Sequence, residues 1–287
     1  MSASAASNNS EQVAYWNDAA GLTWARLQRV LDRQIDPLGR EAIRVLAPCS
    51  GERILDVGCG CGQTSIELAE QVAPSGSVVA VDISRPMLEV ARARLAGSPN
   101  LPLEFRESDA QTEPLGEAVF DAAYSRFGVM FFSDPVAAFA NVRRALKPDG
   151  RLAFVCWRPL AENAWMRVPL EAARPWLPPA APPDPAAPGP FAFADPERVR
   201  RILDGAGFAD PQIERFDTQI GGTGLDDALT IACRIGPLGS ILRECPERLA
   251  DVGSAVREAL ALHLRDGAVW MSAAAWIVRA RRGPDRR

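Results

Sequence analysis

The sequence predicts an α/β fold: a mostly parallel sheet flanked by helices, with further helices added as a cap. The first observation is a β-α-β unit over residues 53–84, in which an apolar strand, a glycine-rich turn, a helix and a second apolar strand follow one another. The second is that strand-like and helix-like segments keep alternating up to Trp157. With 287 residues, 47% apolar and 24% charged, the chain suits one large domain, or a core with a cap.

The segment ahead of this unit is predicted to be helical. Apolar residues recur at helical spacing over residues 13–46, with expected breaks near Gly21 and Pro37. This pattern predicts two or three helices that precede the core. Residues 1–10 are small and polar, and we expect them to be disordered or loosely helical.

The glycine loop lies at the first turn of the β-α-β unit. Residues 58–62 read Gly-Cys-Gly-Cys-Gly, so alternate positions allow backbone angles that other residues avoid. A dinucleotide fingerprint would need Gly or Ala at position 63 or 65, where Gln63 and Ser65 stand. Asp56, just before the loop, would repel a pyrophosphate but suit an ammonium group. A ligand with a carboxylate for the helix N-terminus, an ammonium for Asp56 and a ribose diol for Asp82 is S-adenosyl-L-methionine.

Five segments come in the order and spacing of class I S-adenosylmethionine-dependent methyltransferases, over about residues 50–157. The sequence most resembles the type 11 branch, which includes the ubiquinone/menaquinone C-methyltransferases. This resemblance implies a seven-stranded Rossmann-like sheet whose last strand is antiparallel, and S-adenosyl-L-homocysteine as product. The motifs are specific for the cofactor and leave the acceptor open. They are LDVGCGCG, VVAVDIS, SDA at 108–110, FDAAYSRFGVMFF at 120–132 and LKPDGRL at 146–152.

The cofactor-binding residues are predicted from these motifs and from the resemblance. The resemblance places Ile83 and Met87 against the adenine and makes Asp109 accept a hydrogen bond from its amino group. In resembling enzymes an N-terminal segment covers the cofactor, which would bring Tyr15 or Trp16 near it; packing of the helices on the core is the alternative. The predicted set is Tyr15, Trp16, Asp56, Gly58, Gly60, Cys61, Gly62, Asp82, Ile83, Met87, Asp109, Ala110, Ser125 and Arg126.

Catalysis by methyl transfer requires nucleophile, methyl group and sulfur in line, and a base only if the nucleophile is protonated. Arg126 follows the fourth strand at the switch point of the sheet, where ligands bind; a structural ion pair is the alternative. His263 continues an apolar helical stripe, so it is either a packed side chain or a pocket base. We expect an apolar, aromatic or isoprenoid-like acceptor, with O- or C-methylation favoured over N-, S- or arsenic methylation. Candidate lining residues are Phe127, Met130, Phe131, Phe132, Trp165 and Trp176.

The domain organisation follows from changes in composition. Residues 174–190 are so rich in proline that neither a helix nor a central strand is expected there. Helical spacing recurs at 226–235 and 246–264, between predicted sixth and seventh strands at 211–220 and 270–280. The predicted division is an N-terminal helical cap at 1–48, the cofactor-binding core at 49–158, a Pro-rich excursion at 159–195, and the rest of the core at 196–287 with a helical insertion at 221–267.

Several alternatives remain beside this interpretation. A non-catalytic S-adenosylmethionine-binding protein would share every cofactor motif, whereas an RNA methyltransferase would show a basic face that a net charge of −4 does not favour. Six cysteines form no disulfide framework, so a reducing cytoplasm is expected. Cys59 and Cys61 fill a tight turn rather than bind zinc, and no metal is predicted. We expect a small-molecule substrate, no nucleic acid, no stable membrane insertion, and compatibility with a homodimer.

Overall fold

The computed structural model describes residues 9–179 and 184–284, and the described residues form one mixed sheet with helices on both sides. Its strand order is β3-β2-β1-β4-β5-β8-β6, and the two-residue β7 pairs with β8. Every neighbouring pair from β3 to β5 is parallel, whereas β8 is antiparallel to both β5 and β6. The strands are β1 (Arg53–Val57), β2 (Ser77–Asp82), β3 (Leu103–Glu107), β4 (Phe120–Arg126), β5 (Leu146–Trp157), β6 (Phe208–Thr223), β7 (Leu264–Arg265) and β8 (Ala268–Arg282).

The predicted α/β class, with a mostly parallel sheet and an antiparallel last strand, is confirmed; β7 is a short addition to the seven expected strands. Among the described residues, no helix combines the length and apolar character needed to cross a membrane. The helices are α1 (Ser10–Asn17), α2 (Ala19–Leu46), α3 (Gln63–Val72), α4 (Arg85–Leu95), α5 (Pro135–Ala145), α6 (Ala164–Ala173), α7 (Pro196–Gly205), α8 (Leu225–Arg234), α9 (Gly236–Glu244) and α10 (Leu249–Ala261).

The strand order places a ligand-binding crevice at the end of β1. From β1 the chain builds outward through β2 and β3, then returns to place β4 on the other side of β1. In such open sheets, ligands bind outside the carboxyl ends of the strands where the order reverses. The strands at this point are buried on both faces: Ile54, Leu55, Ala122 and Ala123 have no exposed surface. The site is therefore set on a rigid base.

The N-terminal helices differ from their prediction in where they break. The chain turns at Asp18, and α2 then runs unbroken through both Gly21 and Pro37. A proline inside a helix costs about 3 kcal/mol. Burial of Leu31 and Leu38 against the core contributes about 1.5–3 kcal/mol each, which offsets that cost. Gly21 does not break the helix. It allows α2 to pack closely against the end of α1, because a Cβ there would lie 1.9 Å from the Trp16 carbonyl oxygen.

The C-terminal additions contain a helix that the sequence pattern did not predict. Helix α9 lies between the two expected insertion helices, and α10 ends at Ala261 rather than at position 264. His263 therefore lies beyond the helix, and its predicted place on the helical stripe is wrong. The described part of the Pro-rich stretch contains only the three-residue 3₁₀ turn Arg174–Trp176. Residues 1–8, 180–183 and 285–287 of the predicted segments lie outside the described residues.

Candidate active site

The candidate site is a cavity at the carboxyl ends of β1, β2 and β4, beneath α1 and α2. It encloses about 1010 Å³, its open mouth included. The loop between β1 and α3 forms one wall, and the aromatic side chains of α1, α2 and the segment after β4 form another. The crevice expected from the strand order is therefore an actual cavity.

The glycine loop forms the cavity floor because its backbone must pass close to other atoms. Gly58 has a φ of +69°, and a Cβ there would lie 2.8 Å from the Cα of Gly128. Gly60 has a φ of +55°, and its Cβ would lie 2.8 Å from the methyl carbon of Met87. Both positions favour glycine by conformation, and Gly58 also by space, because its neighbour is a backbone atom. The loop thus presents bare backbone to the cavity.

Asp82 lies at the tip of β2, at the edge of this floor. Its carboxylate accepts a hydrogen bond from the Gly60 amide at 2.7 Å and from the Ser84 amide at 2.8 Å. Burial raises the pKa of the Asp82 carboxyl. Each carboxylate oxygen has a second lone pair, so Asp82 can still accept hydrogen bonds from a ligand diol. Its neighbours Ile83 and Met87 also line the cavity.

Asp56 lies below the floor and does not line the cavity. Its side chain has no exposed surface, and Ser65 Oγ donates to its Oδ2 at 2.6 Å. Its Oδ1 has no hydrogen-bond partner among the described residues. Burial raises the pKa of this carboxyl to about 6. The role of Asp56 toward an ammonium group stays a prediction, and the unpaired buried oxygen fits a cationic group above it.

Asp109 lies in the cavity with its carboxylate already occupied. Asn9 Nδ2 donates to both oxygens, at 3.1 and 3.2 Å. The Gln111 amide and the Thr112 hydroxyl donate one further bond each, at 2.9 and 3.0 Å. These four hydrogen bonds, from three donor groups, fill the usual capacity of a carboxylate. An adenine amino group at Asp109 would therefore have to replace one of these donors, and Asn9 is the one that itself lines the cavity.

Arg126 lines the cavity from the end of β4 and is held by two partners. It donates to Asp32 on α2 at 3.1 Å and to the side-chain oxygen of Gln63 on α3. Arg94 also pairs with Asp32, so one carboxylate joins two guanidinium groups. Gln63 in turn donates to Asp36 at 2.8 Å. The two alternatives for Arg126, a structural ion pair and a position at the site, thus both occur in the structure.

The opposite wall of the cavity is aromatic. Trp16 contacts Phe131 edge-to-face with ring centroids 4.9 Å apart, and Trp24 lies 6.4 Å from Trp16. Phe127 lines the cavity and stacks on Trp157 at 4.1 Å. Such pairs add packing energy and hold the rings in fixed orientations. The wall offers a flat apolar surface for a ligand.

The structure brings most of the predicted site residues together. Those that line the cavity are Trp16, Gly58, Gly60, Cys61, Asp82, Ile83, Met87, Asp109, Ala110 and Arg126. Those that do not line it are Tyr15, Asp56, Gly62, Ser125 and His263. Tyr15 points outward and accepts a hydrogen bond from Arg243 at 2.9 Å. Ser125 is fully buried in β4.

The predicted acceptor-lining residues divide in the same way. Phe127, Phe131 and Phe132 line the cavity, whereas Met130 is buried outside it, Trp165 lines a separate small cavity and Trp176 is exposed outside both. Sequence reasoning missed a further set on the N-terminal segment and α2. Four of these residues lie on α2, and their helical spacing would have marked one face of that helix, but no motif singled them out. The missed residues are Asn9, Trp24, Gln28, Asp32 and Ile35.

The two cysteines of the glycine loop are protonated, buried thiols rather than metal ligands. Cys59 and Cys61 are free and buried. Burial raises the pKa of the Cys61 thiol to about 12 and raises that of Cys59 as well. The described part of the chain holds no group of three or more His, Cys, Asp or Glu side chains that could bind a metal.

Residues 54–150 match the family model of a methyltransferase domain. The demethylmenaquinone methyltransferase of Deinococcus radiodurans is 33% identical over 200 residues, which cover 63% of this chain and 78% of that protein. An O-methyltransferase of Pyrenophora dematioidea is 32% identical over 142 residues, 49% of this chain and 51% of that protein. The chain spans about half the length of the first curated relatives that it matches.

The fold is also that of known structures. The crystal structure of the YcgJ protein from Bacillus subtilis superposes with a TM-score of 0.56 at 18% identity, covering 85% of this chain and 97% of that one. The positive-φ glycine loop, the carboxylate at the tip of β2 and the orphaned oxygen of Asp56 fit the cofactor that the motifs imply. By sequence match, fold and site geometry, the chain belongs to the class I S-adenosylmethionine-dependent methyltransferases and resembles the demethylmenaquinone methyltransferases among them.

Proposed function

We propose that this protein transfers the methyl group of S-adenosylmethionine to a small, neutral, apolar or aromatic acceptor, with O- or C-methylation favoured. The observation that carries the proposal is a single cavity with two different walls. One wall is the glycine loop with Asp82, and the other is the aromatic surface of Trp16, Phe127 and Phe131. The names of the relatives support it, since one is a demethylmenaquinone methyltransferase and another an O-methyltransferase.

The charges that line the cavity favour a cationic cofactor. Among the described lining residues, Asp32, Asp82 and Asp109 are acidic and Arg126 is basic. A cavity lined mainly by one sign of charge attracts ligands of the opposite sign. When bound, the cofactor supplies an activated methyl group on a positive sulfur. The same acidic excess disfavours an anionic acceptor, which is why the proposal names a neutral one.

The chain's own contribution is to position the reactants and to exclude water. Holding two reactants in line can supply about 7–11 kcal/mol of the barrier. The floor fixes one reactant through backbone and Asp82, and the aromatic wall offers the other a flat, dry surface. Arg126 orients this region through Asp32 and Gln63. His263 lies outside the cavity lining, so the proposal assigns no proton transfer to it.

The test is a screen for transfer of an isotope-labelled methyl group to quinols, phenols, amines, thiols and arsenite. We expect label in a phenol or quinol, with S-adenosylhomocysteine formed in equal amount. Label in an amine, a thiol or arsenite would correct the acceptor class. Tight S-adenosylhomocysteine binding without transfer to any compound would favour a non-catalytic binding protein instead. A small-molecule partner and a cytoplasmic location are part of the same proposal, which is compatible with a homodimer.

A further inference from the structure

One face of α2 contributes a stripe of four residues to the cavity wall. Trp24, Gln28, Asp32 and Ile35 follow one another at helical spacing and all line the cavity. Helix α2 precedes residue 54, where the match to the methyltransferase domain begins. The matched region supplies the glycine loop and Asp82. The stripe on α2 is therefore a part of the wall that lies outside the matched methyltransferase domain.

The polar side chains on and near this stripe differ in whether they have hydrogen-bond or ion-pair partners. Asp32 is paired with both Arg94 and Arg126, and Arg126 is also bonded to Gln63. The side-chain oxygen of Gln28, in contrast, is buried without a hydrogen-bond partner among the described residues. Seven buried side-chain atoms in the described residues share this condition, and only that of Gln28 belongs to a residue lining the cavity. A buried acceptor without a partner is costly, so such a group calls for a ligand donor.

We propose that Gln28 determines acceptor specificity by accepting a hydrogen bond from a hydroxyl group on an aromatic acceptor. An amide oxygen can only accept, so the matching ligand group must be a donor. Trp24 lies one turn before Gln28 on the same face, which places an aromatic surface beside the polar atom. The inference rests on the proposed function and adds the group by which the acceptor is chosen.

The experiment compares two probes that differ in one donor: 1-naphthol and 1-methoxynaphthalene. Binding of each is measured by calorimetry to the full chain saturated with S-adenosylhomocysteine. We expect the wild type to bind 1-naphthol about tenfold more tightly than its methyl ether, since one hydrogen bond of about 1.4 kcal/mol corresponds to tenfold in affinity. Gln28→Leu should reduce this preference to within about twofold, and Gln28→Met serves as a second variant of matched length.

The matched control is Gln12→Leu. The side-chain oxygen of Gln12 is likewise buried without a partner among the described residues, but Gln12 does not line the cavity. This variant should keep the wild-type preference for 1-naphthol. The affinity for S-adenosylhomocysteine itself, measured first, reports both folding and the proposed function.

Three results would overturn the inference while leaving the proposed function intact. The first is a Gln28→Leu variant, or a Gln28→Met variant, that keeps the preference for 1-naphthol. The second is a wild type that binds S-adenosylhomocysteine but binds the two probes equally or not at all. The third is a Gln28→Leu variant that loses affinity for S-adenosylhomocysteine alone, which would assign Gln28 to the cofactor. Failure of every variant and the wild type to bind S-adenosylhomocysteine would instead refute the proposed function.

Discussion

The floor of the cavity and the helices that cover it are held in place in opposite ways. The floor, residues 58–62 with Asp82, is held by its own backbone: the Gly60 amide bonds to Asp82, and the glycines occupy positive φ. The cover, α1 and α2, is held by side chains that reach distant segments. Asn9 bonds to Asp109, 100 positions away, and Asn17 donates to the Ile83 carbonyl at 2.7 Å. A local stretch of sequence therefore encodes the floor, whereas the cover depends on the whole fold.

The sharpest test of the floor is Gly58→Ala. A positive φ costs a non-glycine residue about 1–2 kcal/mol, and crowding in a packed region costs about 1–3 kcal/mol more. The Cβ would lie 2.8 Å from the Cα of Gly128, a backbone atom that cannot swing away. We expect a loss of about 4 kcal/mol in unfolding free energy, measured by urea denaturation.

Gly253→Ala is the matched control for this change. Gly253 lies inside α10, and a Cβ there would meet nothing within 4 Å. Alanine should stabilise the helix by up to about 1 kcal/mol. Equal effects of the two variants would contradict the account of the floor as close-packed backbone.

The next largest effect is expected for Asp56→Asn, just beneath the floor. The folded-state pKa of about 6 lies above the ordinary value of 3.8, so the folded state binds more protons between these values. Stability of the wild type therefore falls as pH rises through this window. At pH 7 the variant should be more stable than the wild type by up to about 3 kcal/mol, and below about pH 4 the difference should vanish. Urea unfolding from pH 4 to 7.5 measures this difference in stability between the variant and the wild type. A difference that does not change with pH would refute the raised pKa.

Asp82→Ala tests the part of the floor that faces the ligand. Loss of the carboxylate should weaken S-adenosylhomocysteine binding by about 1.5–3 kcal/mol, the scale of hydrogen bonds to a charged group. Calorimetry measures this loss and should show no response to NAD. Asp82→Asn keeps one acceptor oxygen for the Gly60 amide and should lose less. Unchanged affinity in the alanine variant would remove Asp82 from the cofactor site.

The smallest effect is expected in the cover, for Asn9→Ala. Removing Asn9 frees one lone pair on each oxygen of Asp109, while Gln111 and Thr112 stay in place. If Asp109 accepts from the adenine, S-adenosylhomocysteine should bind about threefold more tightly, equivalent to part of one hydrogen bond. Ser133→Ala is the control, since Ser133 donates only to Asn9 Oδ1 and leaves Asp109 bonded. Weaker binding by the Asn9 variant would make Asn9 a ligand contact rather than a competitor.

The same contrast explains how far the sequence predicts the structure. Gly58, Asp82 and Met87 stand in motifs whose geometry is local, and the structure places all three at the cavity. The predicted break at Pro37 was wrong because tertiary burial outweighs a local helix preference. Asn9 lies in a short polar stretch with no periodic signal, so its long-range bond to Asp109 could not be read from the pattern. Contacts between side chains that are distant in the sequence cannot be predicted from the spacing of residues along the chain.

The strand order reported above also leaves two open edges, at β3 and at β6. On β3, Glu104 and Arg106 form an ion pair at 2.6 Å along the edge strand itself. On β6, Glu214 and Asp217 are exposed, as is Arg215, which bonds to Glu162 on its own chain. A second chain adding a strand at either edge would have to desolvate these charges before its backbone could pair. Charged edge strands thus oppose aggregation through continued sheet growth.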